Sequence, residues 1–380
     1  MSGASLLVWC SILAALVIGI LAGHFGWGRR WPRSFAKLHP DYLAGLDYLV
    51  TEQPDRALDL FLKLMEANAD TVETHFSLGA LYRRRGEVER AIRIHQNLLA
   101  REALATEHRE QALLALAQDY LRAGVLDRAE RLLQEVSEAP RLRASALAAL
   151  RGVYERQHEW AQALETYRQL ARVKAAPPRK VAAHYLCELA ALAMERDQID
   201  EARTLLRQAR REVTPFPRAA LLRADIAECQ NQTELAIGLI RIALKESPDL
   251  LPEELPHLLR LAGAEHRDRL LAELAAHASA GDLAELKRLV FAAVAAGLGA
   301  VPPLRAAFEA VFAKDPALHA VWLAGGADFE RVGAEIGALL EHAERYRCSE
   351  CGFSGRSFYW HCPACQSWET FESYAIVKLR

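Results

Sequence analysis

The chain has little of what several large protein classes require. Its 380 residues include only 21 glycines and 15 prolines, which excludes an all-β or low-complexity chain. Neither sign of charge is in excess, because 47 Lys and Arg balance 49 Asp and Glu. The composition therefore indicates neither a nucleic-acid-binding protein nor an acidic disordered tail. Seven cysteines, an odd number, do not suit a secreted disulfide framework.

The sequence motifs of common enzyme classes are also absent. The chain has no phosphate-binding P-loop, no dinucleotide-binding glycine motif, no zinc-protease motif and no nucleophile elbow. The histidines are scattered, and His75, His95 and His108 occupy helical positions where packing or solvent exposure explains them. We therefore predict no catalytic residues and a protein that is not an enzyme.

One long apolar run lies at the N-terminus. Residues 4–23 carry no formal charge, and a helix of that length spans about 30 Å of hydrocarbon. A cleaved signal peptide is the alternative, but the run lacks the basic start that such a peptide needs. Four basic residues follow before the first acidic one, which places the bulk of the chain in the cytoplasm. We predict a transmembrane anchor at 1–28 and a basic juxtamembrane linker at 29–37.

Two residue types recur with a period of about 34 residues. Six alanines are spaced by 34, 38, 34, 39 and 34 residues, and a tyrosine precedes each of the first four by nine residues. A small residue lets two helices approach closely, so the pattern predicts stacked helix–turn–helix repeats. The alanines are Ala57, Ala91, Ala129, Ala163, Ala202 and Ala236, and the tyrosines are Tyr48, Tyr82, Tyr120 and Tyr154.

At these positions the sequence resembles the tetratricopeptide repeat. Gly79, Tyr82 and Ala91 match its pattern in the second unit, and the resemblance covers residues 38–250 in six units. Residues 251–345 keep the helical periodicity without the markers. We interpret them as degenerate helical repeats, with a separate helical bundle as the alternative.

A solenoid of this type offers a concave surface formed by the first helix of each repeat, which binds peptides or partner domains. The Lys–Asn–Arg clamp that grips chaperone tails is absent, so such a tail is not the predicted ligand. Arg83, Arg84 and Arg85 end one first helix and are either a contact for an acidic partner or a solvated helix end. The groove positions that lack the clamp are Glu73, Phe76, Ala80, Gln111, Leu114 and Gln118.

The strongest chemical motif is a pair of Cys-x2-Cys sequences near the C-terminus. The four cysteines are Cys348, Cys351, Cys362 and Cys365, and two facing turns of this kind supply the tetrahedral sulfur set that zinc or iron prefers. Because all four ligands come from the protein, the site is predicted to be structural. Two dithiol redox sites or two disulfides are the alternatives, both disfavoured in a reducing compartment. We predict one iron or zinc ion in a domain at 346–380.

The remaining cysteines and one histidine near the motif have simpler interpretations. Cys10 lies in the apolar run, while Cys187 and Cys229 fall on helix faces, where we predict small buried residues. His361 adjoins Cys362 and is interpreted as part of the surrounding aromatic cluster, not as a fifth ligand.

In its architecture the chain resembles the lipopolysaccharide assembly protein B family of Gram-negative inner membranes. The resemblance implies an all-α tetratricopeptide-repeat solenoid with an N-terminal transmembrane helix and a small C-terminal rubredoxin-like or zinc-ribbon domain. It implies a single-pass inner-membrane location with most of the chain in the cytoplasm. It carries the four metal ligands over to Cys348, Cys351, Cys362 and Cys365, and it implies that the metal domain packs on the repeats.

The same resemblance implies a function and partners. Members act as non-enzymatic adaptors that limit lipopolysaccharide synthesis by promoting degradation of the LpxC deacetylase by the membrane protease FtsH. A lipopolysaccharide-sensing membrane protein is implied as a further partner, and nucleic acid is not. The alternative is a metal or thiol redox sensor coupled to a protein-binding solenoid. The pattern leaves open whether the chain forms a homodimer.

Overall fold

The computed structural model is mostly helical. Among the residues it describes, no helix is both long and apolar enough to cross a bilayer. The predicted anchor at 1–28 and linker at 29–37 lie outside those residues. The described residues are 40–51, 53, 56–57, 60–61, 72–173, 175–298, 301–324 and 328–373.

The chain divides into two compact units between Ala146 and Leu147. The helices bounded within the described part of the first unit are α1 (Pro40–Val50), α2 (Val72–Arg85), α3 (Val88–Leu99), α4 (Thr106–Arg122) and α5 (Leu126–Ser137), and α6 (Arg143–Gln157) spans the division. The second unit continues with α7 (Trp160–Arg172), α8 (Arg179–Glu195), α9 (Ile199–Glu212), α10 (Pro217–Cys229), α11 (Thr233–Glu246), α12 (Leu251–Ala280), α13 (Leu283–Ala295), α14 (Arg305–Lys314), α15 (Pro316–Ala324) and α16 (Phe329–His342).

The repeat markers lie where the period predicts them. All six alanines are fully buried, and Tyr82, Tyr120 and Tyr154 are buried beside them. Each alanine after Ala57 lies near the start of the second helix of a pair, where its small side chain permits close helix packing. These contacts form the helical-repeat core, and the fold is a tetratricopeptide-type arrangement with a small C-terminal β domain.

The turns inside the helix pairs keep the same period. Gly86 and Gly124 end their helices with positive φ, the conformation that glycine commonly adopts after the last turn of a helix. His158, Asp197 and Asn231 occupy the equivalent turns with φ of +58°, +60° and +59°. These three positions were not predicted from the sequence, although His, Asp and Asn are the residues that best tolerate this region apart from glycine.

Residues 251–280 form a helix that is interrupted at Gly263, where φ is +64°. The break separates two helical segments, and side chains from both contribute to the apolar cluster that includes α13 and α14. Leu258 and Leu270 also pack against residues of α10 and α11. The helical periodicity predicted for this region is present, with a bend that the periodicity did not predict.

A buried polar cluster in the first unit engages one of the three consecutive arginines. Asp119 is fully buried, and it accepts a hydrogen bond from Arg83 at 2.6 Å. Its second oxygen lies 2.5 Å from Nδ1 of the buried His95. Arg83 is therefore neither a free contact for a partner nor a solvated helix end.

Gly79 permits this arrangement because it lies directly beneath the His95 ring. A Cβ at residue 79 would lie 2.5 Å from the ring, and Asp119 holds that ring in place. We expect Gly79→Ala to destabilise α2 and α3 by about 1–3 kcal/mol through overpacking. Faster amide hydrogen exchange in these two helices is the measurement.

The matched control is Gly152→Ala in α6, where a Cβ meets no atom within 4 Å. Alanine is the better helix former, so this change should stabilise its helix by about 1 kcal/mol or less. Equal exchange rates in wild type and Gly79→Ala would contradict the packing argument.

Candidate metal centre and its docking surface

The C-terminal domain is a small antiparallel sheet that holds two cysteine turns. Its strands are β1 (Tyr346–Cys348), β2 (Ser354–Gly355) and β3 (Phe371–Ser373), in the order β2-β1-β3. The first cysteine turn joins β1 to β2, and the second lies between β2 and β3. The register places β1 in the centre of the sheet. Cys348 pairs with Phe371 on one side, and on the other its N–H donates to the Phe353 carbonyl at 2.8 Å.

The structure brings all four predicted cysteines together. Their Sγ atoms lie within 4.8 Å of one another. Cys348 and Cys365 are 3.6 Å apart, and Cys351 and Cys362 are 3.7 Å apart. A tetrahedron with metal–sulfur bonds of about 2.3 Å has sulfur–sulfur edges of about 3.8 Å. The spacing therefore fits one tetrahedral thiolate-bound ion.

Each cysteine turn contains a residue with positive φ. Gly352 has φ +76° in the first turn, and its N–H donates to the Cys348 carbonyl at 3.0 Å. Gln366 takes the equivalent position in the second turn with φ +62°, and its N–H donates to the Cys362 carbonyl at 2.9 Å. The two turns thus have one geometry, although only the first has a glycine at this position.

The four thiols lie so close together that ionisation of one opposes ionisation of the others. Burial opposes ionisation of Cys348, but hydrogen bonds from Thr370 and backbone N–H groups lower its pKa to about 6. Against the same burial, hydrogen bonds from Ser367 lower the pKa of Cys365. Burial raises the pKa of Cys362. A divalent or trivalent ion at the centre removes this conflict because it stabilises all four as thiolates.

The metal domain contacts helices of the second unit through Trp368. This side chain is buried, and its ring stacks on His184 with centroids 4.5 Å apart. The rings of Trp160 and Tyr185 lie edge-on to it, each at 5.9 Å. His361 also stacks on this ring at 4.3 Å, which confirms His361 as a member of the aromatic cluster. The indole therefore fills a slot between the β domain and α6 to α8.

Glu155 forms the polar end of that slot. Its Oε1 accepts hydrogen bonds from Trp368 Nε1 at 3.0 Å, from the Tyr185 hydroxyl at 2.6 Å and from Arg151 at 2.6 Å. Only 4% of Glu155 is exposed. Three hydrogen bonds offset much of the free-energy cost of removing this carboxylate from water. The contact therefore has polar specificity as well as apolar packing.

A second polar contact lies beside the first. Glu369 accepts hydrogen bonds from Nε2 of His184 and from Lys180, both at 3.0 Å. Arg218 approaches Nδ1 of the same imidazole at 3.4 Å, which leaves that nitrogen as the acceptor. Burial lowers the pKa of His184 to about 4, so the ring is neutral and carries its proton on Nε2. The hydrogen bonds from His184 and Lys180 lower the pKa of Glu369 to about 2.

These shifts predict how stability depends on pH. Between pH 6.5 and about 4 the unfolded chain protonates residue 184, whereas the folded chain does not. Stability is therefore complete above pH 6.5 and falls as the pH drops towards 4. The Glu369 contribution is present above pH 4.5 and is lost as the pH falls towards 2. Arg218 and Glu188 also face this pair.

The measurement is urea unfolding of the second unit from pH 4 to 7, with His184→Gln as the matched variant. Glutamine retains an N–H donor but does not titrate in this range. We expect the free energy of unfolding to depend less steeply on pH between 4 and 6.5 in the variant than in wild type. An equally steep dependence in both proteins would contradict the assignment.

The two other described cysteines differ from each other. Cys187 is fully buried in α8, as predicted, and burial raises its pKa to about 12. Cys229 is exposed at the end of α10, so the prediction that it is buried was wrong. The error arises because the last residue of a helix need not follow the face defined by its earlier turns.

Sequence reasoning missed the receiving side of the docking surface. Glu155, His184 and Lys180 belong to repeats far from the cysteines in the sequence, and none lies in a recognisable motif. Trp368 is one of several aromatic residues around the cysteine turns, and its local sequence did not mark it as a contact residue. The available signal was the pairing of a tryptophan with an acidic residue directly after the last metal-binding turn.

Comparison with known proteins gives matches for both parts of the chain. A family model described as a rubredoxin metal binding domain matches residues 346–373. Tetratricopeptide-repeat models match residues 74–110, 146–181 and 187–250. The crystal structure of MamA is 20% identical and covers 44% of this chain and 93% of its own, with a TM-score of 0.34, which is too low for further inference.

Two relatives match nearly the whole chain. Lipopolysaccharide assembly protein B of Escherichia coli (strain K12) is 31% identical over 376 residues, covering 93% of this chain and 95% of that protein. The protein of the same name from Haemophilus influenzae is 28% identical over 384 residues, covering 93% and 96%. Similarity of this extent includes the repeats as well as the cysteine domain, and on that basis the chain belongs to the lipopolysaccharide assembly protein B family.

Proposed function

We propose that the chain is a membrane-anchored cytoplasmic adaptor that regulates lipopolysaccharide biosynthesis, without enzymatic activity of its own. The observation that carries the proposal is the match to lipopolysaccharide assembly protein B over 93% of the chain. A helical-repeat scaffold supports it, because such scaffolds present extended surfaces to partner proteins.

The client and the protease follow from the family resemblance. In this proposal the repeats bring the LpxC deacetylase to the membrane protease FtsH, and a lipopolysaccharide-sensing membrane protein adjusts that activity. The test is the half-life of LpxC in a strain where this chain replaces the resident family member. We expect rapid LpxC turnover with the full chain and slow turnover without it. Equal half-lives would reject the adaptor role.

The anchor is part of the same proposal. The uncharged run at 4–23 and the basic residues within 29–37 support a single span with the repeats in the cytoplasm. Deleting residues 1–28 at native expression level should slow LpxC turnover, because the adaptor no longer concentrates near the protease. A matched control replaces those residues with an unrelated single-span helix, which should restore turnover.

We also propose that Cys348, Cys351, Cys362 and Cys365 hold one structural ion, iron or zinc. The close sulfur spacing and the fully protein-derived donor set support it. The bound ion would supply a rigid cross-link between the two turns. Metal analysis of protein purified under reducing conditions should give one equivalent of zinc or of iron per chain.

A redox or metal sensor is the second candidate, and the exposure of Cys351 and Cys365 favours it. Exposed thiolates react with oxidants, and their oxidation releases the ion. Metal content and thiol oxidation measured in cells under oxidant stress separate the two proposals. A purely structural site keeps its ion. A sensor loses its ion at oxidant levels that leave the thiol of Cys229, the exposed reference cysteine, reduced.

A further inference from the structure

The metal domain covers a surface that repeat proteins commonly use for their partners. Its contacts on the second unit come mainly from α6, α8 and α10. Each of these is the first helix of a successive helix pair, and first helices form the concave binding face of such solenoids. The C-terminal domain of the chain therefore lies where a partner segment would bind.

The groove holds two adjacent residues in distinct subsites. Trp368 enters the aromatic subsite, stacked on His184 at 4.5 Å with Arg218 5.9 Å from its ring. Its Nε1–H donates to Glu155 at 3.0 Å. Glu369 enters the cationic subsite and accepts from Lys180 and His184. One subsite selects an indole with its N–H, and the other selects a carboxylate on the next residue.

We infer that the groove of α6, α8 and α10 is a recognition site for a tryptophan followed directly by a carboxylate residue, and that Trp368 and Glu369 occupy it as an internal competitor. The occupant of the vacated groove is then a partner protein that presents the same pair. This inference deepens the adaptor proposal, and it rests on that proposal for the existence of a protein partner.

The conformation of the internal ligand specifies how a partner presents the pair. Glu369 has φ +55°, its N–H donates to the Trp360 carbonyl at 2.9 Å, and His361 pairs with Trp368 across a β-bridge. Trp368 and Glu369 therefore directly follow the turn that the His361–Trp368 bridge closes. A ligand that already holds this turn avoids the cost of ordering it on binding.

The tethered metal domain competes with a partner for the groove, so its attachment controls partner binding. A tethered ligand acts at an effective concentration of about millimolar, so a partner segment of moderate affinity binds only when the metal domain detaches. Loss of the ion, or of the docking contacts, opens the groove.

The test uses the full chain in detergent and a fluorescent peptide of residues 360–370, closed by a disulfide between its Cys362 and Cys365 equivalents. The receptor is either wild type or the Trp368→Ala, Glu369→Gln variant, in which the internal ligand is removed. We expect the peptide to bind the variant at least about tenfold more tightly than wild type, measured by fluorescence anisotropy. A control peptide with the same two substitutions should not bind.

A second way to vacate the groove guards against misfolding of the first variant. Cys348→Ser with Cys351→Ser should open the same site, and Lys180→Met added to either background should abolish peptide binding. Absence of peptide binding in both opened receptors, or equal binding of both peptides, would overturn the inference. No client or protease takes part, so this failure is distinct from the unchanged LpxC half-life that rejects the adaptor role.

Discussion

Replacing Cys348 and Cys351 by serine is expected to abolish metal binding and to unfold residues 346–373 while the helical repeats stay folded. The domain has a small core, formed by Tyr346, Phe371 and two of the cysteines. Thiolate–metal binding contributes on the order of 10 kcal/mol in small zinc domains, which such a core cannot replace. Metal content should fall from one equivalent to none, and protease should remove the C-terminal segment rapidly.

Cys229→Ser is the matched control because that cysteine is exposed and remote from the sulfur cluster. It should leave metal content and protease resistance unchanged. A double-serine variant that keeps its ion and its folded C-terminal domain would contradict a structural metal site.

Glu155→Ala is expected to release the metal domain from the helices without removing the ion. The substitution leaves the indole N–H of Trp368, the Tyr185 hydroxyl and the Arg151 guanidinium without their shared acceptor. Removing one partner from a buried charged network costs about 3 kcal/mol or more. Hydrogen exchange in residues 360–370 should rise sharply, while metal content stays at one equivalent.

Two further variants make this result specific. Glu165→Ala removes an exposed carboxylate that lies 3.7 Å from Arg168, and its effect should stay within about 0.5 kcal/mol. Glu155→Gln keeps an acceptor oxygen without the charge and should give an intermediate effect. Unchanged exchange in Glu155→Ala would show that aromatic packing alone holds the domain.

Periodic features of the chain were predictable because they depend on local geometry. The spacing of the six alanines predicted residues that are all fully buried, and the two Cys-x2-Cys pairs predicted the sulfur cluster. The left-handed turns at Gly86 and Gly124 were predictable since glycine is the usual residue there. The equivalent turns at His158, Asp197 and Asn231 follow from the period but not from residue type.

Contacts between distant segments could not be predicted in the same way. Arg83 is separated from Asp119 by 36 residues, and Glu155 from Trp368 by 213. No local periodicity relates such positions, because their distance depends on how whole helices pack. Cys229 was predicted to be buried but lies on the surface, because it is the last residue of its helix.

The sequence by itself determined the repeat period, the helix pairs and the four cysteines, since each of these results from spacing along one segment. Only the tertiary structure decided that Trp368 and Glu369 lie in the groove of α6, α8 and α10. The physical reason is that burial of an indole and pairing of a carboxylate require partners from several separate helices. Those partners come together only when the chain is folded.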